Sequence, residues 1–160
     1  MNELWNWRVD GRVTLAEVHA ALADVFGTRV VPLGRVNPEQ YPAEAMICDV
    51  WHVDGAFPTG VDCYAPPSGA VEIRSIAALA RRLERGCLLP DDTLDPGRFL
   101  LVAPDGTTRP VHLDVWDTEH GEVLGDPRPC TRVDLRCRGW APCRQSRWAP
   151  DSVLPALAAA

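Results

Sequence analysis

The stretch FLLVAPDGTTRPVHLDVW, residues 99–116, decides the fold class. Two apolar, β-branched runs flank Pro104-Asp105-Gly106. Proline presets φ and glycine accepts a positive one, so the stretch predicts a hairpin with arms at 99–103 and 108–116. In the second arm Val111, Leu113 and Val115 alternate with His112, Asp114 and Trp116. Residues two apart on a strand share a face. The first set is therefore expected against the core, and the second set facing outward.

Working back from the hairpin, residues 87–89 read as a short strand and 90–97 as an aspartate-rich loop. Ile76, Leu79, Ala80 and Leu83 recur at helical spacing from about Arg74, with Gly86 expected to close that helix. Pro66-Pro67-Ser68-Gly69 separates it from strands at 46–54 and 61–64. Nearer the N-terminus, Thr14 and Glu17 have the spacing of a capping box, in which side chain and backbone satisfy each other's donors. Leu15, Val18, Leu22, Val25 and Phe26 follow at helical spacing, and Gly27 suits a left-handed C′ residue. Trp5 to Val9 alternates as a half-buried strand. Residues 29–45 carry Pro32, Gly34, Pro38 and Pro42, and read as a short strand and a loop. The order β-α-β-β-β-α-β-β-β predicts an α+β fold, with an antiparallel or mixed sheet and two helices packed on one face. Past Gly125 the regularity fades. A domain at 1–125 and an irregular tail at 126–160, packed on the domain, are expected.

Composition narrows the function classes. The chain has 160 residues, a net charge of −6 and no lysine. Residues 1–127 hold ten arginines against twenty Asp and Glu, whereas 128–147 hold six arginines against Asp134. With Trp140 and Trp148, the tail has the composition of a nucleic-acid arm. The acidic body would repel a polyanion within a Debye length of about 8 Å, so the simpler expectation has the tail bind the body in cis. No apolar run reaches the roughly 20 residues a membrane span needs, and the first residues lack the features of a signal peptide. A cytoplasmic location is expected. Cys48, Cys63 and Cys87 lie in apolar, strand-like stretches and read as small hydrophobes.

Chemistry-bearing motifs are sparse. No nucleophile elbow, phosphate loop or zinc-protease motif is present, so no catalytic residue, cofactor or metal ligand is assigned. His52/Asp54 and His112/Asp114 share the His-x-Asp spacing, but the expected orientations keep them apart. Cys130, Cys137 and Cys143 lack the short knuckle spacing of zinc sites. Asp91, Asp92 and Asp95 sit in a proline-bounded loop and read as solvated or turn-forming. The sharpest feature is an echo: Asp49-Val50-Trp51 recurs as Asp114-Val115-Trp116. Placing Cys48 and Val50 inward puts two aspartates and two tryptophans on one sheet face away from the helices. Two readings of that face stand: an interaction surface anchored by aromatics, or a seat for the tail.

The run CLLPDDTLDPGRFLLVAPDG (87–106), then VHLD (111–114) and the earlier GVDCY (60–64), resembles a pattern in small bacterial proteins. Some of these resemble immunity proteins that accompany polymorphic toxins. The resemblance implies stoichiometric inhibition of a protein toxin, nucleic-acid-directed ones included, and no catalysis. Carboxylates facing a basic cleft would speed association and select the partner. Asp49, Trp51, His112, Asp114, Trp116, Asp117, Glu119 and Glu122 are the candidate partner-binding residues. The rival readings are a metal- or nucleic-acid-binding protein acting through the Arg/Cys tail, and a small enzyme using a cysteine or a His/Asp pair.

Overall fold

Thr14 starts the first helix by the expected mechanism. Its Oγ1 accepts from Glu17 N at 3.2 Å, while the Glu17 carboxylate accepts from Thr14 N at 2.8 Å. The helix, α1 (Leu15–Phe26), buries Val18, Ala21 and Leu22 and ends at Gly27 with φ 63°. These observations come from a computed structural model, which describes residues 4–35, 37, 39, 44–64, 66–91 and 96–130.

The second helix, α2 (Glu72–Leu83), begins two residues earlier than its apolar spacing suggested and ends sooner. Glu84, not Gly86, takes the left-handed position, at φ 55°. Glu84 N bonds Arg81 O at 3.2 Å and Arg85 N bonds Ala80 O at 3.1 Å, the paired bonds of a Schellman motif. A side chain in that conformation costs about 1–2 kcal/mol. Glu84→Gly relieves this, less the extra unfolded-state freedom of glycine. A net stabilisation of about 0.5–1 kcal/mol is expected in urea unfolding.

Among the described residues there are eight strands: β1 (Leu4–Val9), β2 (Val30–Val31), β3 (Met46–His52), β4 (Thr59–Tyr64), β5 (Cys87–Pro90), β6 (Arg98–Val102), β7 (Thr108–Thr118) and β8 (Gly121–Pro129). They form one sheet in the order β2-β3-β4-β1-β5-β6-β7-β8. β2 and β3 pair in parallel, and the other neighbours are antiparallel. The fold is α+β with a mixed sheet. β8 has no counterpart in the sequence reading. It pairs with β7 as far as Pro129, across a register shift between His112 and Asp114, and so reaches four residues beyond the expected domain boundary.

Two apolar cores lie on opposite faces of this sheet. Trp5, Trp7 and Val9 of β1, Cys48, Val61, Cys63, Leu89, Leu100 and Val102 pack with Val18, Leu22, Ile76 and Leu79 of the helices. Leu88, Phe99, Val111, Leu113, Leu124 and Phe57 form the second core. Leu88 and Leu89 are adjacent on one strand, so the two cores must lie on opposite faces. The connection between β3 and β4 closes over the second face, where Ala56 N donates to Leu124 O at 2.8 Å. Gly55 permits that approach, because a Cβ there would collide with the Leu124 carbonyl.

Candidate functional site

Tracing the register across the sheet locates each candidate residue. Trp51 pairs with Gly60, Gly60 with Arg8, Arg8 with Leu88, and Leu88 with Leu101. The neighbouring row runs Asp49, Asp62, Asn6. Asp49 and Trp51 therefore face away from the helices, as expected, and share that face with the second core. In the β6–β7 pair, Phe99 opposes Val111, while Arg98 opposes His112. The apolar set Val111, Leu113 and Val115 thus lies on the same side as Trp51, and His112 on the helix side.

This corrects the expected common Asp/Trp face. His112 is 2% exposed and cannot belong to an interaction surface. The strand's apolar face does point into a core, but into the second one. Trp116 lies on Gly125, whose Cβ would come within 2.8 Å of its ring, and it is 49% exposed. Asp114 is half-buried, and Asp117, Glu119 and Glu122 are exposed on the β7–β8 ribbon. Asp49 accepts from Leu33 N at 3.2 Å. Asp91 is also corrected. It is buried and ion-paired with Arg98, not solvated, while Asp92 and Asp95 lie outside the described residues.

The structure brings together Trp51 and Glu122 around a residue the sequence reading did not single out. Arg8 is 4% exposed. Its guanidinium lies 4.8 Å from the Trp51 ring centroid. Nε donates to Phe57 O and Nη1 to Glu122 O, each at 2.9 Å. Among the described residues Nη2 has no hydrogen-bond partner. An unsatisfied buried donor costs about 1–3 kcal/mol, and more when charged. Burial lowers the pKa of Arg8, and the neighbouring Glu122 carboxylate opposes that shift. Phe57 offers its carbonyl from a positive φ of 50°, a conformation that costs about 1–3 kcal/mol and is held by its surroundings. Trp51 is fixed as well. Its Nε1 donates to Asp62 at 3.2 Å, Asn6 donates to the other oxygen of Asp62, and the ring lies where a Cβ on Gly60 would be.

Arg8, Trp51 and Asn6 floor a cavity of about 430 Å³, walled by Pro90 and Phe99, with His120, Gly121 and Glu122 at its rim. A second hollow of about 330 Å³ lies beside the same ribbon tip, lined by His52, Asp54, Glu119 and Val123 among others. Glu119 and Glu122 thus border different cavities. Such a site can receive a group by hydrogen bonding and stacking. No described nucleophile and base converge there.

Nor do the other proposed chemistries assemble. His52 Nε2 bonds Val13 O at 2.7 Å and Asp54 faces Arg12 at 3.7 Å. Among the described residues no three His, Cys, Asp or Glu side chains converge as metal ligands. Cys130 is buried within 3.8 Å of Arg98 Nη2. Cys137, Cys143, Trp140, Trp148 and the tail arginines beyond Arg128 lie outside the described residues. Among those described, no helix is long and apolar enough to cross a membrane. No family model, curated protein or solved structure matches the chain.

Arg8 was missed for a definable reason. It alternates with Trp7 and Val9, which reads as an outward position. β1, however, is central in the sheet, between β4 and β5, and nothing local in the sequence says so.

Proposed function

We propose that this chain is a cytoplasmic immunity-type binding protein that neutralises a bacterial protein toxin by stoichiometric capture. The observation that carries the reading is the β7–β8 ribbon. Trp116 is half exposed there, beside the exposed carboxylates of Asp117, Glu119 and Glu122. Asp117 and Glu122 make no ion pair among the described residues. Such a tip suits a cationic protein face, with the tryptophan as anchor and the carboxylates steering encounter. A nucleic-acid-directed toxin, whose substrate is a polyanion, presents such a face. The docking surface is accordingly narrower than the sequence reading had it. It keeps Trp116, Asp117, Glu119 and Glu122, with Asp114 at its base, and leaves out Asp49, Trp51 and His112.

The test begins with the adjoining reading frame, which should encode a secreted protein with a C-terminal toxin domain. Coexpression should restore growth to cells producing that domain. Reversing Asp117, Glu119 and Glu122 to lysine should slow association at low salt about tenfold or more and abolish its acceleration as salt is lowered. An unchanged association rate and salt response would remove the ribbon from the interface. The absence of any toxin-encoding neighbour, with no growth protection, would remove the toxin reading itself.

A further inference from the structure

We propose that Cys48 and Cys63 form a redox-sensitive clamp, in which two-electron oxidation joins their sulfurs into a disulfide that ties β3 to β4. The clamp does not depend on the toxin reading.

The register places the two residues. Cys48 of β3 lies directly opposite Cys63 of β4. Which kind of opposite pair they form follows from the turn end of the same hairpin. Val53 N donates to Pro58 O at 2.9 Å, so 53 and 58 hold a hydrogen-bonded position of the ladder. Hydrogen-bonded and non-hydrogen-bonded positions alternate along an antiparallel pair. An odd number of steps back along β3, Cys48 and Cys63 fall in a non-hydrogen-bonded position. There the Cα atoms stand about 4.5 Å apart and the side chains approach most closely. A disulfide spans Cα atoms about 4.4–6.8 Å apart, so the bond closes with little movement of either strand.

Burial and isolation reinforce the pairing. Both side chains are buried in the helix-side core, and the Cys48 thiol is hydrogen-bonded to that of Cys63. Along β1, Cys63 is level with Trp5 and Cys87 with Val9. Cys87 is thus two strands across and four residues along, about 15 Å away and beyond the reach of a disulfide. Cys130 follows β8, five strands from β4 in the sheet order. Among the described cysteines, Cys48 and Cys63 therefore have only each other.

The oxidant is a small-molecule disulfide such as oxidised glutathione. One cysteine, as thiolate, attacks a glutathione sulfur, forming a mixed disulfide and releasing one glutathione thiol. The second thiolate attacks the protein sulfur of that mixed disulfide and releases the other. The protons lost by the two cysteines end on the two glutathione thiols. The protein dithiol is oxidised by two electrons and one glutathione disulfide is reduced. The native thiols are buried, so this exchange requires the hairpin to open. Opening must break the bond from His19 Nε2 to Cys48 O, at 2.9 Å. It is eased at the outer side of β3, where the neighbouring β2 is two residues long. Once the bond has formed, the same burial shields it from reducing thiols.

The purified full chain tests this. It is reduced, then held in mixtures of oxidised and reduced glutathione, with and without urea below the unfolding midpoint. Samples are quenched with acid, free thiols are alkylated, and linked peptides are mapped by mass spectrometry. The peptides carrying Cys48 and Cys63 should become linked to each other, about tenfold faster or more in urea, which exposes the thiols. The linked form should unfold with an equilibrium constant about a hundredfold smaller than the reduced form, seen as a higher urea midpoint. It should also lose less stability as pH rises above neutrality, since Cys48 no longer has a proton to keep. Cys63→Ala should show no such link and no gain in midpoint on oxidation. Should that variant fail to fold, the peptide map and the midpoints of the parent chain still decide. The proposal would be overturned by the absence of a Cys48–Cys63 link in every mixture, or by a link from either residue to Cys87 in its place. Equal oxidation rates with and without urea, or a linked form no more stable than the reduced one, would overturn it as well. Because no toxin enters the experiment, its failure leaves the ribbon reading untouched.

Discussion

Asp91→Asn should destabilise the fold by about 3–5 kcal/mol, the penalty typical of breaking a buried ion pair from one side. The side chains of Asp91 and Arg98 are 1% and 0% exposed. Asp91 follows β5 and Arg98 opens β6, so the pair joins the ends of two neighbouring strands around the 92–97 connection. Arg98 Nη2 also lies 3.8 Å from Cys130 Sγ, just past β8. Asparagine keeps the shape of Asp91 and removes its charge, leaving the guanidinium desolvated without its carboxylate. Against a typical domain stability of about 5–15 kcal/mol, such a loss is large, and urea unfolding would register it as a lower midpoint with little change in slope. The compensating double replacement Asp91→Leu/Arg98→Met removes both charges. It should recover most of the loss, because an apolar pair often replaces a buried ion pair with little cost. A single variant within about 1 kcal/mol of the parent would show that the pair contributes little.

The elements that carried their own chemical punctuation were legible in the sequence. Thr14, Glu17 and Gly27 bounded α1 correctly, and Asp105-Gly106 set the β6–β7 hairpin, with Gly106 at φ 87°. β8 was not legible because GEVLGDPRP has neither alternation nor strand composition. It pairs because β7 offers it an open edge, and prolines are tolerated on an edge strand. α2 stopped short of its expected end for a different reason. Packing of its last turn holds Glu84 where local preference favours glycine. The orientation of the candidate site failed at one step. Alternation tells which residues of a strand share a face but not which side of the sheet that face occupies. For Cys48 and Val50 the apolar side was the helix side, whereas for Val111 and Leu113 it was the opposite one. Carrying one orientation to both strands brought together two tryptophans that the fold keeps apart. Trp51 became the floor of a cavity, and Trp116 stayed on a ribbon.

Alkaline pH should destabilise this protein through its core thiols. Cys87 is fully buried, and burial, with a smaller contribution from Asp10, pushes its pKa up to about 12. Cys48 is raised by its hydrogen bond to Cys63, its cross-strand partner, and by burial. In the unfolded chain a thiol titrates near 8.5. Between that value and the native one the unfolded state has released a proton that the native state keeps. The unfolded state then binds fewer protons, so stability falls as pH rises. The contribution is fully present below about pH 8.5 and declines by about 1.4 kcal/mol per pH unit for each such thiol. For Cys87 the loss from pH 8.5 to 10.5 is about 2–3 kcal/mol, and Cys48 adds to it in the same direction. Urea midpoints at pH 7.5, 9 and 10.5 should trace that decline, and Cys87→Ala should make it less steep while lowering stability at pH 7.5. A midpoint independent of pH across this range would mean that the native thiols ionise as freely as unfolded ones. They would then react readily with iodoacetamide in the folded protein, whereas protonated core thiols should stay unmodified. The same measurement bears on catalysis, since a thiol that holds its proton to such high pH is a poor nucleophile at neutral pH. Cys48 and Cys87 therefore serve the helix-side core.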